Sequence, residues 1–172
     1  MFFSGFCVKG KRELFYPFLD DSPLVAAGFS FGAQKVWELV KRELKEGRGE
    51  IRKIQLFSPA FFGNRPRRWI EVNIEGFRKN RRRYILQFLK KAGLPDLNLI
   101  DWGCREEELF QLLTYRWERL ELDGIELEVF LGSEDPIIDV EGAFNFFKEM
   151  GVVHLLNGAD HFLRPFTTWP PN

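Results

Sequence analysis

The stretch VAAGFSFGAQKVWELV, residues 25–40, decides how the rest of the chain is read. Residues 23–29, PLVAAGF, form an apolar run with no helical period, the pattern of a strand buried in a parallel sheet. From Phe31 the period changes. Ala33, Val36, Trp37 and Val40 recur at helical spacing, Lys35, Glu38, Lys41 and Arg42 stand between them, and Gly47 and Gly49 close the pattern. At the junction a serine lies between two glycines, Gly28-Phe29-Ser30-Phe31-Gly32. Ser30 has two readings there. It caps the helix, as serines before amphipathic runs commonly do. Or it sits on a turn so sharp that its hydroxyl projects above the sheet, with Gly28 and Gly32 keeping bulk away and the helix N-terminus favouring negative charge.

Working outward, residues 1–8 read as a short strand entering a tight turn, and IRKIQLFSP (51–59) as a strand stopped by Pro59. Residues 60–122 break the alternation. They are rich in Arg, Trp, Phe and Leu and read as two or three helices, punctuated by Gly-Leu-Pro at 93–95. IELEVFLGS (125–133) returns to a strand, 139–151 to a helix, VVHLL (152–156) to a strand and NGADHF (157–162) to a loop. This is an α/β layout with a mostly parallel sheet of five or six strands, and the helical insert at 60–122 is expected to lie over one end of the sheet as a lid.

The 172 residues favour one domain with a sizeable core. Hydrophobic residues at 45% and charged residues at 29% fit a soluble globular chain, and 19 Phe suggest a greasy pocket as well as a core. Formal net charge is zero, so the whole molecule has no bias toward acidic partners. Cys7 and Cys104 are too few for a disulfide framework. The N-terminus lacks the features of a signal peptide, and no apolar run is long enough to span a bilayer. The expected setting is a reducing cytoplasm, with no membrane partner.

A reactive serine needs a base. His154 lies within a strand, where a strand-face role is expected; His161 follows the last strand, in a loop able to reach the edge that carries Ser30. A carboxylate must then orient the imidazole. Asp135, directly after a strand, and Asp139 both qualify, although Asp before Pro136 is also good turn chemistry and Asp139 fits a helix cap; Glu134 is a weaker candidate. Ser30, Asp135, His161, each after its own strand, is the α/β-hydrolase order. The oxyanion needs two N–H donors: the residue after the nucleophile, Phe31, and one from an earlier turn, for which FFSGF offers Phe6. Neither histidine has partners at metal-ligand spacing, so no metal or organic cofactor is expected.

FFSGF, GFSFG, LFSP, GSEDPIID and DHFL together resemble a family of unusually short α/β-hydrolases of biotin synthesis, the compact pimeloyl-[acyl-carrier protein] methyl ester esterases of the BioV type. The resemblance runs over nearly the whole chain, the insert matching only in character. It implies a reduced α/β-hydrolase fold that opens at the oxyanion turn, without the first strands of the usual eight-stranded sheet. It implies hydrolysis of the methyl ester on a pimeloyl chain carried by acyl carrier protein, with Ser30 as nucleophile, His161 as base, Asp135 as acid, and Phe6 and Phe31 as the oxyanion hole. A thioesterase or small-ester carboxylesterase would use the same triad.

Residues 64–91 hold ten Lys and Arg against Glu71 and Glu75, a local net charge of +8. Such a run is a solvated helix face, a nucleic-acid grip with Trp69 and Tyr84 to stack, or a dock for an acidic protein. The last agrees with the resemblance: an acidic carrier held on Arg78, Arg81, Arg82 and Arg83 would send its acyl arm inward to Ser30, which makes nucleic acid the less favoured partner. Trp69, Phe77, Phe88, Leu89, Phe110 and Trp117 are then expected to line a tunnel, or else to be ordinary lid packing.

Overall fold

A computed structural model describes residues 1–47 and 49–165. Five strands, β1 (Phe2–Phe3), β2 (Val25–Phe29), β3 (Lys53–Phe57), β4 (Glu126–Gly132) and β5 (Val152–Leu156), form one sheet in that spatial order, every neighbouring pair parallel. Chain order and spatial order coincide. Whatever follows each strand therefore emerges along one edge of the sheet, strand beside strand.

The sheet's two faces are covered differently. On one, the register aligns Phe29, Phe57, Phe130 and His154 across β2 to β5. Phe15, from a 3-10 turn at Arg12–Phe15, covers this ladder with ring centroids 4.8 Å from both Phe29 and Phe57. On the other face lies α1 (Phe31–Glu46), to which β2 turns its side-chain-free Gly28. Val36, Trp37 and Val40 of α1 are fully buried, and Trp37 meets Phe147 of α5 (Val140–Phe147) at 5.7 Å. Gly47 ends α1 in the left-handed conformation, φ 65°, as the glycine after the helical period suggested.

Between β3 and β4 the insert folds as α2 (Arg67–Lys79), α3 (Arg81–Ala92) and α4 (Glu106–Thr114). Asn80 separates the first two, its side chain capping α3 by accepting from the Arg83 N–H at 3.0 Å. Phe77 of α2 and Phe88 of α3 set their rings on Phe6, at 6.2 and 6.0 Å. The lid thus rests on the turn after β1. A covalent tie reinforces the contact: Cys7 and Cys104, both buried, form a disulfide with Cα atoms 5.1 Å apart. Beside it Val8 and Ile100 make an antiparallel bridge, the Asp101 N–H donates to the Cys7 carbonyl at 2.8 Å, and the Lys9 N–H donates to that of Leu99 at 2.8 Å. Two cysteines do not make a framework, but here they make one cross-link, which sequence spacing alone did not suggest because 97 residues separate them.

Candidate active site

Ser30 stands at the tip of β2 with φ 53° and ψ −111°, a conformation that costs a non-glycine residue about 1–3 kcal/mol. Its side chain makes no capping bond to α1. The main chain is pinned instead: the Ser30 N–H donates to the Phe57 carbonyl at 2.9 Å, and the Ser30 carbonyl accepts from Ala33 and Ala60 at 3.1 and 3.2 Å. The flanking glycines have a steric reason. A Cβ on Gly28 would overlap the Gly32 carbonyl, and one on Gly32 would overlap the carbonyls of Phe3 and Ser4.

His161 joins two strands' worth of chain to this hydroxyl. The Ser30 hydroxyl lies 3.0 Å from His161 Nε2 and is placed to donate to it, while the Nδ1–H side faces Asp135 Oδ2 at 2.6 Å. Asp135 Oδ1 accepts from the Ile137 N–H at 2.8 Å and the Ile138 N–H at 3.4 Å, so the turn holds one oxygen and leaves the other for the imidazole. Asp139 does different work: it caps α5, accepting from the Gly142 N–H at 2.9 Å. Glu134 is exposed. The structure therefore brings Ser30, Asp135 and His161 together and leaves Asp139 and Glu134 out. His154 stacks on Phe130 at 4.6 Å and points Nε2 toward Glu128, 3.4 Å away, a strand-face histidine.

The loop that delivers His161 is tied to β4 and to itself. The Gly158 N–H donates to Ser133 Oγ at 2.8 Å, the Glu134 N–H donates to the Ala159 carbonyl at 3.0 Å, and Asp160 Oδ1 accepts from the N–H groups of Phe162 and Arg164. Burial raises the Asp160 carboxyl above its ordinary value, against the pull of those hydrogen bonds and of the Arg164 guanidinium. The Phe29 ring lies 5.1 Å from the His161 ring.

Phe6 lies in the turn after β1, and Phe31 directly follows Ser30. Phe31 is the first residue of α1. The Ser4-Gly5-Phe6 turn lies directly against Ser30, since a Cβ on Gly5 would come within 3.4 Å of Ser30 Cβ. Neither the Phe6 nor the Phe31 N–H donates to another group among the described residues. Ser30 and His161 are only 3% and 2% exposed.

The insert's aromatic residues pack rather than line a common passage. Phe77 and Phe88 cover Phe6, Leu89 is buried within the lid, and Trp69 meets Phe62 at 5.3 Å. Helical spacing puts Phe110 on the outer face of α4, 54% exposed, in a groove of about 630 Å³ between α2 and α4. Trp117 donates from Nε1 to the Ala60 carbonyl at 3.1 Å and packs on Trp37 and Phe147, on the α1 side. The six therefore do not line one tunnel: five pack within the lid and core, and Phe110 faces the groove.

The arginines divide too. Arg78 forms a bidentate pair with Glu106, binding α2 to α4. Arg81 donates to the Trp102 carbonyl and Arg82 stacks over the Trp102 ring at 4.7 Å. Among the described residues Lys79, Arg81, Arg82 and Arg83 have no carboxylate partner, leaving the corner between α2 and α3 positive. Among the same residues, no helix is long and apolar enough to cross a membrane, and no three His, Cys, Asp or Glu are grouped to hold a metal ion.

One residue at this edge escaped the sequence reading. Ser58, directly after β3, is fully buried, has φ 42°, and its hydroxyl has no partner. The signal was its position: Ser-Pro ends β3 where Ser30 ends β2.

No family model and no curated protein matches the chain. Solved structures do. An esterase from Exiguobacterium antarcticum superposes with a TM-score of 0.58 at 18% identity, over 80% of this chain and 59% of its own. BioG from Haemophilus influenzae gives 0.57 at 16% identity, over 94% of this chain and 87% of its own. ClbQ of the colibactin NRPS/PKS pathway gives 0.53 at 15%, over 86% and 64%. The chain spans little more than half of the first of these and 53% of a naproxen esterase from Bacillus subtilis. At such identities the likeness shows the fold, a reduced α/β-hydrolase fold.

Proposed function

We propose that this chain is a serine hydrolase of carboxylic esters, and that it converts the methyl ester of pimeloyl-[acyl-carrier protein] to pimeloyl-[acyl-carrier protein] and methanol. The observation that carries the hydrolase reading is the hydrogen-bonded line from Asp135 through His161 to Ser30, ending on a hydroxyl held at positive φ at the start of a helix. In the reaction Ser30 Oγ attacks the ester carbonyl as its proton passes to His161 Nε2, and Asp135 stabilises the imidazolium. The tetrahedral oxyanion takes hydrogen bonds from the N–H groups of Phe6 and Phe31, each donor contributing about 2.7–4 kcal/mol to the transition state. Collapse of the intermediate breaks the C–O bond, and the departing methoxide takes the His161 proton. Water, deprotonated by the same imidazole, then hydrolyses the acyl-enzyme and restores Ser30.

The substrate reading is supported by the motif set of FFSGF, GFSFG, LFSP, GSEDPIID and DHFL, and by the positive corner between α2 and α3, which suits an acidic carrier. Arg81, Arg82 and Arg83 are the docking residues; Arg78 serves the lid. The triad is equally able to cleave a thioester, so the test must separate the two bonds. Methyl pimeloyl-carrier protein, a free methyl ester and a pimeloyl thioester of the carrier are each incubated with the protein and followed by mass spectrometry. Methanol release, fastest from the carrier-linked ester, is expected. Release of free pimelate from the carrier would make it a thioesterase. Absence of any turnover, together with no fluorophosphonate adduct on Ser30, would sink the hydrolase reading.

A further inference from the structure

The reaction above leaves one buried hydroxyl at the sheet edge without a task. Ser58 has no exposed surface, its oxygen meets no donor or acceptor, and its φ of 42° is disfavoured for any residue with a Cβ. Both features lower stability. Alanine would remove the unpaired hydroxyl, and glycine would remove the backbone strain as well. A position with only a packing role would be better filled by either.

Its surroundings suggest what the hydroxyl does. The Ser58 N–H donates to the Phe130 carbonyl of β4 at 2.8 Å, while the preceding carbonyl, that of Phe57, accepts from the Ser30 N–H at 2.9 Å. The tip of β3 is thus fastened to the nucleophile's strand on one side and the acid's strand on the other. His161 joins Ser30, after β2, to Asp135, after β4, through contacts of 3.0 and 2.6 Å. Because β3 lies between those two strands, Ser58 at its tip stands between the strand ends that carry Ser30 and Asp135, the two residues the imidazole bridges.

We propose that Ser58 is a positioning residue for His161, its hydroxyl oxygen presenting a lone pair to the C–H edge of the imidazole. The contact is weak while the ring is neutral and strengthens when the ring accepts the Ser30 proton and becomes cationic, so it favours the transition state over the resting state. No covalent bond changes at Ser58. Keeping the hydroxyl free of other partners keeps its lone pairs available to the ring. The inference rests on the hydrolase reading.

The test compares Ser58→Ala and Ser58→Gly with the wild-type protein in three measurements: kcat and KM on a small free ester, the rate at which fluorophosphonate labels Ser30, and the thermal midpoint. Both variants are expected to melt at or above the wild-type temperature, keep KM within about twofold, and lose about tenfold in kcat and in labelling rate. Unchanged kcat and labelling in both variants would overturn the proposal. So would a loss of rate that tracks a fall in thermal midpoint, since that marks a packing role. A wild-type protein that is labelled normally confines either failure to Ser58; a wild-type protein that is not labelled at Ser30 removes the hydrolase reading and this inference with it.

Discussion

Ser30, Asp135 and Asp139 make different demands on a substitution. Ser30→Ala is expected to abolish both ester turnover and fluorophosphonate labelling while the protein stays folded, measured by mass spectrometry and circular dichroism. Asp135→Asn leaves the carboxamide in place but favours the wrong imidazole tautomer; kcat should fall by about 10³–10⁴-fold. Asp139→Ala removes a helix cap. It should cost about 1 kcal/mol in urea unfolding and leave kcat unchanged. The sequence could propose both aspartates but not choose between them, since each lies in good turn or cap chemistry near the end of β4. The choice depends on which oxygen remains free once the turn N–H groups are satisfied, and that is a property of three-dimensional geometry. Ser30 and His161 were legible for a simpler reason: Ser30 directly follows an apolar strand run, and His161 lies in the short loop after another.

Strand and helix boundaries followed the change of hydrophobic period closely. β2 into α1 is the clearest case, because a buried strand gives way to an amphipathic helix within two residues. The elbow between them has no slack. Gly32→Ala should drive a methyl group into the Phe3 and Ser4 carbonyls and destabilise the fold by about 1–3 kcal/mol, with activity lost beyond that proportion because Ser30 moves. The insert's helices were legible, but the ion pair joining α2 to α4 was not, since its partners lie 28 residues apart. Hydrogen bonds from Arg78 hold the Glu106 carboxyl below its ordinary value of 4.5. A carboxyl depressed in the folded state stabilises it above the ordinary value, and that contribution disappears as the pH falls through the lowered one. Amide protection factors in residues 67–79 and 106–114 should therefore fall as the pH is lowered below about 4.5, and Glu106→Gln should remove this pH dependence.

At the scale of the whole molecule the lid is attached to the sheet's first turn by the Phe77 and Phe88 rings on Phe6, by the backbone bonds of residues 7–9 to 99–101, and by the disulfide from Cys7 to Cys104. Ser30 and His161 are both buried. The cross-link closes a long loop, and Cys104→Ala should lower stability by about 2–5 kcal/mol by denaturant titration. The exposed arginines at 81–83 lie inside that loop, with one sulfur on each side of them. A single tryptic cut there would divide the polypeptide into two pieces that still migrate as one band on a non-reducing gel, and that part only when a thiol is added.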